Sequence, residues 1–504
     1  MAAPRLLRMN AADNVALCLE DVAAGDVVDE GVQAQDDVPS GHKIAVSPIA
    51  TGQAILKYGQ IIGVATSDIA VGRHVHVHNV SARTGDVRRR VDPGQNAASL
   101  HSRAATFQGY PRASGRVGTR NYIGILTSVN CSATVARAIA EAFPAAAFED
   151  NPSVDGVVAF THTTGCGMTP DSDGTDNLRR TLEGYLHHPN FAAVLVVGLG
   201  CEMMQLSGFA DEEKAKRNGV ELRTLTIQDE GGTRKSVEAG RAIVRDLVQG
   251  QSGLARQEVS AEHLTLGLQC GGSDGWSGVT ANPALGRAVD LLVQSGGTAI
   301  LSETPEIFGA EQLLFARAKS EAIRDALEAR LDWWAEYMAR NNAELNNNPS
   351  PGNIAGGLTT ILEKSLGAVA KSGSMSLRGV FRYAENIDQT GFVFMDSPGY
   401  DPCSATGQMA AGANMLAFTT GRGSVFGSKP APCIKLASNK AMARRMDEDM
   451  DFDCSPVLEG ASLDDLGEQI FDLILRTASG EESKSEKLGF GDLEFVPWQM
   501  GAVV

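Results

Sequence analysis

Between residues 13 and 80 the chain alternates short apolar and polar runs that are interrupted by turn-forming residues. The turns include Ala24-Gly25-Asp26, Pro39-Ser40-Gly41 and Val71-Gly72-Arg73. Alternation with a period of two residues is typical of strands with one face in a core and the other in solvent. We therefore predict a small all-β domain over residues 1–95.

From residue 107 the pattern changes to apolar strands followed by amphipathic helices. Residues 121–126 predict a strand, and residues 133–143 predict the helix after it. Three further runs, at residues 156–162, 192–200 and 264–270, are almost continuously apolar, as expected of parallel strands covered on both faces. The predicted fold class is therefore α/β, with parallel sheets after the β-domain.

Two polar stretches suggest where the α/β part divides. Residues 81–106 contain Pro and Gly and show neither hydrophobic period, and residues 250–263 are also polar and less periodic. We predict domains at residues 1–95, 107–250 and 251–504.

Charge and composition limit the possible partners and location. The net charge of −17 opposes binding to nucleic acid, and no apolar run is long enough for a membrane span. The N-terminal segment lacks the apolar core of a secretory signal, and eight cysteines in 504 residues are sparse. We expect a cytoplasmic protein with reduced thiols that binds neither nucleic acid nor membrane.

Four cysteines lie close to the ends of predicted strands, where ligands bind in open parallel sheets. They are Cys131, Cys166, Cys201 and Cys270. We predict that Cys166, Cys201 and Cys270 gather at one pocket as metal ligands. The alternative interpretation is that buried cysteines fill small spaces in the core.

The segment HVHVHN, residues 74–79, places three histidines at a spacing of two. On a β-strand this spacing puts His74, His76 and His78 on one face. Alternate side chains on a strand stand about 7 Å apart, so two of the three are expected to share an ion. We take His76 and His78 as metal-ligand candidates, with an ordinary polar strand as the alternative.

Several other polar residues are candidates for proton transfer or ligand binding. His42 and Lys43 follow a turn in the β-domain, and His162 lies at the end of a predicted strand. Asn353 in a rigid Pro-containing turn is a candidate for binding a hydroxylated ligand. The glycine-rich segment 421–429 presents Arg422 and Lys429 as carboxylate-binding candidates, but it has the wrong spacing for a nucleotide phosphate loop.

The motifs along nearly the whole chain resemble those of the altronate and galactarate dehydratase family. They include GHKIA (41–45), GRVGTRNYIGI (115–125), GLGCE (198–202), QCGGSDG (269–275), NPSPGN (348–353) and TTGRGS (419–424). The resemblance implies an N-terminal SAF-type β-domain, a middle domain and a C-terminal domain. It also implies a divalent metal, usually Fe2+, with Mn2+ as an alternative. The cysteine trio leaves an iron–sulfur cluster as the less favoured alternative to this mononuclear metal.

Within that family the segments 74–79 and 302–314 look more like the altronate branch, so D-altronate is the expected substrate and 2-dehydro-3-deoxy-D-gluconate the expected product. The segment 395–408 is less typical, which leaves galactarate or another sugar acid as an alternative.

The expected reaction is a hydro-lyase reaction, and several residues carry its expected roles. For proton transfer or carboxylate binding we take His42, Lys43, His162, Glu202 and Glu303. Ser273 and Asp274 join Asn353, Arg422 and Lys429 as substrate-binding candidates. A sulfo-lyase on the same scaffold and a non-catalytic sugar-acid sensor are the rival functions. A homodimer is expected, as for many enzymes of this size.

Overall fold

A computed structural model describes residues 5–82, 103–144, 148 and 153–503. The predicted linker at residues 81–106 and the boundary near residue 95 fall largely outside the described residues. No helix within the described ranges is both long and apolar enough to cross a membrane.

The N-terminal part consists of two small antiparallel sheets, as the alternating pattern predicts. Their orders are β1-β2-β3-β6 and β4-β5-β7. The strands are β1 (Leu6–Leu7), β2 (Val15–Cys18), β3 (Lys43–Ala45), β4 (Ala54–Lys57), β5 (Gln60–Ala65), β6 (His74–Val75) and β7 (Val80–Ser81).

The middle part is a four-stranded parallel sheet of order β11-β10-β12-β13. Its elements are β10 (Tyr122–Thr127), α1 (Ala133–Ala140), β11 (Gly156–Phe160), α2 (Asp173–Leu186), β12 (Phe191–Gly198), α3 (Glu212–Arg217), β13 (Glu221–Thr226) and α4 (Thr233–Gly250). Ile123 and Ile125 pack with residues of α1 and α4, whereas Tyr122 and Leu126 face the opposite core. Both faces are thus covered, which is why these strands are apolar at nearly every position.

A three-stranded antiparallel sheet, β14-β8-β9, combines two strands that precede the middle sheet in the chain with one that follows it. It consists of β8 (Thr106–Pro111), β9 (Val117–Gly118) and β14 (Gln257–Ser260). The strand β14 lies inside the polar segment 250–263, which the sequence pattern did not indicate as a strand. Pairing with β8 compensates for its lack of apolar residues.

The C-terminal part is a seven-stranded parallel sheet of order β17-β18-β16-β15-β19-β20-β21. Its strands are β15 (Thr265–Cys270), β16 (Thr298–Leu301), β17 (Leu377–Phe381), β18 (Gly391–Met395), β19 (Met415–Thr420), β20 (Cys433–Ala437) and β21 (Phe452–Asp453). Its helices are α5 (Ala281–Gln294), α6 (Glu311–Phe315), α7 (Glu321–Arg340), α8 (Pro351–Ala355), α9 (Ile361–Ala370), α10 (Asp401–Ala411), α11 (Lys440–Arg445), α12 (Leu463–Ala478) and α13 (Lys484–Lys487).

The cores of the three parts are continuous. On one face of the large sheet, Leu268 and Leu301 belong to a cluster that includes Val15 and Ile55 of the β-domain. On the other face, Ile300 belongs to a cluster shared with the middle sheet. The predicted class, a small β-domain followed by α/β domains with parallel sheets, is confirmed.

Candidate active site

The carboxyl edge of the large sheet carries a group of buried acidic, thiol and lysine side chains. Cys270 is the last residue of β15, Glu303 and Glu306 follow β16, and Asp401 begins α10. One ligand atom of each of Cys270, Glu303 and Glu306 lies within 4.8 Å of the others. A cavity of about 490 Å³ lies beside them, and Glu306, Lys364 and Asp401 are among its lining residues. Parallel strands bring their carboxyl ends to one edge, which is where ligands of such sheets bind.

Glu303 has an unusual conformation and environment. Its φ of 68° and ψ of 65° lie in the left-handed region, which non-glycine residues seldom occupy. Its side chain is fully buried, and its Oε1 has no hydrogen-bond partner among the described residues. Burial, and then the negative charge of Glu306, raise the pKa of Glu303 well above its usual range. The upward shift favours the protonated form, in which the carboxyl has a proton to donate.

Two lysines balance the charge of this acidic group. Lys371 Nζ lies 2.7 Å from Cys270 Sγ and 3.5 Å from Glu303 Oε2. Lys364 Nζ lies 2.7 Å from Glu306 Oε1. Burial raises the pKa of Cys270 to about 12, so the thiol is protonated at neutral pH. The cluster can therefore hold an anionic ligand and exchange protons with it.

Asp401 lines the cavity and is set to titrate near neutrality. Burial, followed by the charge of Glu306, raises the pKa of Asp401 to about 7. A carboxyl with a pKa near the working pH is suited to accept and to release a proton. Asp401 is the second proton-transfer candidate on this edge.

A cluster of three histidines lies in the β-domain. Antiparallel pairing of β3 with β6 places Ile44 opposite His74, and this brings His42 close to His74. His42 Nδ1 and His74 Nε2 are 3.1 Å apart, and the ring centroids of His42 and His76 are 4.8 Å apart. One ring nitrogen from each of the three lies within 4.8 Å of the other two.

The prediction of one strand carrying three aligned histidines is wrong. The strand β6 ends at Val75, and the chain then turns, with Asn79 N donating to His76 O. The turn directs His76 toward His42, whereas His78 is exposed. The His78 ring centroid lies 5.5 Å from that of His74, but the three histidines with ring nitrogens within 4.8 Å of one another are His42, His74 and His76.

The histidine cluster has the properties of a set of metal ligands. His76 Nδ1 is buried and has no hydrogen-bond partner among the described residues. Burial lowers the pKa of His74 to about 4 and that of His76 to about 3, with the neighbouring histidines and Lys43 acting in the same direction. Both imidazoles are neutral at pH 7, the form that binds metals.

Two segments connect the histidine cluster to the cavity. His42 Nε2 lies 3.4 Å from the carbonyl of Ala355, the last residue of α8. At the start of α8, Ser350 and Asn353 line the cavity. The loop after β15 runs alongside, since Asn353 Nδ2 donates to Ser273 O and Gly275 N donates to Gly356 O. The histidines and the acidic group therefore lie at two ends of one continuous region.

The predicted substrate-binding residues have different positions. Asp274 is buried and accepts hydrogen bonds from Ser277, Ser438 and Asn439, so it holds the loop together. Arg422 is exposed and packs beside Gly272 and Gly356, next to the cavity.

Ser273 contributes to this region through its carbonyl, whereas Lys429 lies away from it. Lys429 pairs with Asp492 at 2.6 Å and lines a different cavity with Arg120 and Glu486. The structure therefore does not bring Lys429 to the candidate site.

Lys43 belongs to a buried ion-pair network. Glu363 of α9 accepts from Lys43 Nζ at 2.9 Å and from Lys57 Nζ at 2.9 Å, and all three side chains are almost fully buried. Burial raises the pKa of Glu363, but the two lysines outweigh that effect and the net shift is downward. Lys43 also donates to Gly357 O at 2.6 Å. The network fastens the β-domain to the segment that carries the site.

We predict that Glu363→Gln destabilises the protein by about 3–5 kcal/mol, because it leaves two buried ammonium groups without a counter-charge. Urea unfolding at pH 7 measures the loss. The exposed Glu336 on α7 provides a control, since Glu336→Gln should change stability by less than about 0.5 kcal/mol. Equal stability of the two variants would contradict a structural role for the network.

His162 and Glu202 lie at the edge of the middle sheet and not at the cavity. His162 Nε2 lies 2.9 Å from Thr127 O, and burial lowers the pKa of His162 to about 4. Glu202 accepts from Ser128 Oγ at 2.6 Å and from Gly200 N at 2.6 Å. Both side chains join neighbouring loops of the middle sheet.

The predicted convergence of Cys166, Cys201 and Cys270 is wrong. Cys166 and Cys201 are exposed and follow β11 and β12 of the middle sheet. Cys270 is buried at the end of β15, which belongs to the other parallel sheet. Cys166 and Cys201 follow strands and Cys270 ends one, but these strands belong to two separate sheets.

Five residues of this region were not predicted. Four of them lie on helices or in turns, where charged side chains are common. Only their burial in the folded protein distinguishes them from ordinary charged surface residues. Glu306 carried a usable signal, since it lies three residues after Glu303, which was already a candidate. The five residues are Glu306, Glu363, Lys364, Lys371 and Asp401.

The fold and this site define an α/β protein that can bind a small polar acid and exchange protons with it. Family models match the chain in three consecutive parts: the altronate/galactarate dehydratase SAF domain at residues 4–83, the second domain at 109–252, and the C-terminal D-galactarate/altronate dehydratase domain at 261–503.

Curated relatives match over almost the full length. Altronate dehydratase of Escherichia coli is 36% identical over 492 residues, which cover 97% of this chain and 98% of that protein. Altronate dehydratase of Bacillus subtilis is 33% identical over 500 residues, 97% of each chain. Galactarate dehydratase (L-threo-forming) of Escherichia coli is 33% identical over 495 residues, 94% of this chain and 93% of that one. The protein belongs to the altronate and galactarate dehydratase family.

Proposed function

We propose that the protein is a hydro-lyase that converts D-altronate to 2-dehydro-3-deoxy-D-gluconate. The main supporting observation is the cavity at the carboxyl edge of the large sheet, where the pKa of Glu303 is raised well above its usual range and that of Asp401 is raised to about 7. Two carboxyls with different pKa values provide an acid and a base at one site. The altronate dehydratases among the relatives support this substrate.

The reaction breaks the C2–H bond of a 2,3-dihydroxy acid and expels the C3 hydroxyl as water. Asp401 accepts the C2 proton, and Glu303 supplies the proton that leaves with the C3 oxygen, relayed through its neighbours Cys270 and Glu306. Lys364 lines the cavity and offers a positive charge to the substrate carboxylate. The enol that remains after loss of water tautomerises to the 2-keto acid.

We propose that His42, His74 and His76 hold the divalent metal, Fe2+ or alternatively Mn2+. Three neutral imidazoles with mutually close nitrogens, one of them buried without a partner, suit such an ion. The group Cys270, Glu303 and Glu306 fits less well, because Lys364 and Lys371 already place two positive charges beside it. When bound, the ion acts as a Lewis acid toward carboxylate and hydroxyl oxygens of the substrate.

A substrate panel tests the proposed function. The enzyme, loaded anaerobically with Fe2+, is expected to release the 2-keto acid from D-altronate with a kcat/KM at least about tenfold above that for galactarate, a preference of about 1.4 kcal/mol. The panel includes other aldonates, aldarates and sulfolactate. A reversed preference contradicts the altronate assignment, and sulfite release from sulfolactate alone favours a sulfo-lyase. Binding of D-altronate without turnover of any acid favours a sensor.

A homodimer in the cytoplasm remains the prediction for assembly and location.

A further inference from the structure

The carboxyl edge of the middle sheet carries three exposed cysteines on adjacent loops. Cys131 follows β10, Cys166 follows β11 and Cys201 follows β12. These strands are direct neighbours, with β10 between β11 and β12. Their last paired residues are aligned, since Leu126 lies opposite Phe160 and Thr127 lies opposite Val197. The three loops therefore start at the same level of the sheet.

Cross-loop contacts occur beside each cysteine. Asn130 N donates to Thr164 O at 2.9 Å, and Met204 N donates to Gly165 O at 3.1 Å. Glu202 accepts from Ser128 Oγ at 2.6 Å, which ties the third loop to the first. Every cysteine thus lies next to a residue that is bonded to a neighbouring loop. The loops form one surface with the three thiols on it.

Glycines allow the loops to approach this closely. Gly165 and Gly167, on either side of Cys166, have φ values of 97° and 66°, and Gly200 before Cys201 has a φ of 126°. A Cβ at Gly165 would lie 2.2 Å from Ser128 O, so a side chain there would push the loops apart. The backbone beside Cys166 and Cys201 therefore adopts conformations that favour glycine.

We propose that Cys131, Cys166 and Cys201 bind an iron–sulfur cluster through three thiolates and leave one iron without a cysteine ligand. The remaining cysteines are all buried and lie outside these loops, so none of them is placed to act as a fourth ligand. They are at positions 18, 270, 403, 433 and 454. This site is separate from the histidine cluster and from the cavity of the proposed function.

The spacing of the thiols favours a cluster over a single ion. Two thiolates on one zinc ion stand no more than about 4.6 Å apart, twice the Zn–S bond length. Within residues 5–82, 103–144, 148 and 153–503, sets of three ligand atoms that lie within 4.8 Å of one another are confined to the histidine cluster and to Cys270, Glu303 and Glu306. Cys131, Cys166 and Cys201 are not such a set, and a cluster, which binds each thiolate through a different iron, does not require one.

The Gln228 side chain supports the same assignment. Its Nε2 lies 3.5 Å from Cys201 Sγ, a distance suited to an N–H···S hydrogen bond. Hydrogen bonds to the sulfur ligands are one means by which proteins set the reduction potential of iron–sulfur clusters. Gln228 would thus stabilise the reduced, more negative form.

The test measures iron and acid-labile sulfide in full-length protein, purified without oxygen and reconstituted with ferrous iron and sulfide. We expect about equal amounts of sulfide and cluster iron, a visible charge-transfer band and an electron paramagnetic resonance signal in one redox state. Cys131→Ser, Cys166→Ser and Cys201→Ser should each lose most of the sulfide, whereas Cys454→Ala should keep it. His74→Ala should also keep the sulfide, which separates this site from the histidine cluster.

Several results would overturn the assignment. They are iron or zinc bound by the three cysteines without sulfide, a disulfide between two of them, no cluster uptake by the wild type, or normal sulfide in the serine variants. Thermal melts of each variant show whether the fold is retained. As a second readout, Gln228→Leu should keep the cluster and move its reduction potential to a more negative value. None of these measurements depends on turnover, so the proposed function can fail while the cluster stands.

Discussion

Replacing Glu303 with glutamine is expected to lower kcat for D-altronate by about 10²- to 10⁴-fold, the usual contribution of a general acid or base. Glutamine has nearly the same shape and, like the protonated carboxyl, carries no charge. Unlike the protonated carboxyl, the glutamine amide cannot act as a proton donor to the leaving hydroxyl. The left-handed backbone and the burial of Glu303 are retained, so the melting temperature should change little. Steady-state kinetics and thermal unfolding measure the two effects separately.

A buried carboxylate elsewhere in the same domain is the control. Asp290 of α5 accepts hydrogen bonds from Ser374 N at 2.7 Å and Ser374 Oγ at 2.8 Å, away from the cavity. Asp290→Asn should affect stability and leave kcat within a factor of about two, since it touches no group of the site. A normal kcat in Glu303→Gln would reduce Glu303 to a structural residue.

Removing His74 or His76 is expected to lower the affinity for Fe2+ by more than about 100-fold, because loss of a ligand costs at least as much as loss of a residue that orients one. Activity under limiting iron should fall in proportion. The chain provides a matched control in His78, which lies in the same segment but is exposed and outside the group. His78→Ala should bind iron as the wild type does.

Iron content after anaerobic loading and gel filtration, together with activity against added iron, measures this difference. Excess Fe2+ should partly restore the rate of His76→Ala. Equal iron binding by His74→Ala, His76→Ala and His78→Ala would remove the histidine cluster from the metal site and direct attention to Cys270, Glu303 and Glu306.

Much of the fold was predictable because it depends on local patterns. The strand predicted at residues 156–162 is β11 at Gly156–Phe160, and the one at 192–200 is β12 at Phe191–Gly198. Continuous apolar runs mark strands buried on both faces, as in β12, whereas the parallel strand β13 is mostly polar and partly exposed. The strand β14 was missed, since its residues are polar and only pairing with β8 makes it a strand.

The sequence predicted individual residues of the site but not which of them lie together. The sequence placed cysteines near the ends of four predicted strands, and in the structure Cys131, Cys166 and Cys201 follow parallel strands while Cys270 ends one. It could not assign these strands to two sheets, so Cys270 was grouped with the wrong partners. Likewise, the sequence could not show that His78 is exposed whereas His42 is buried.

By itself, the sequence determined the order of the domains, the positions of four parallel strands and the family, because periodicity and motifs are properties of neighbouring residues. Only the tertiary structure decided which side chains meet. His42 joins His74 across 32 residues, and Lys371 reaches Cys270 across 101. Such contacts depend on strand order and on burial, and burial also raises the pKa of Glu303 well above its usual range.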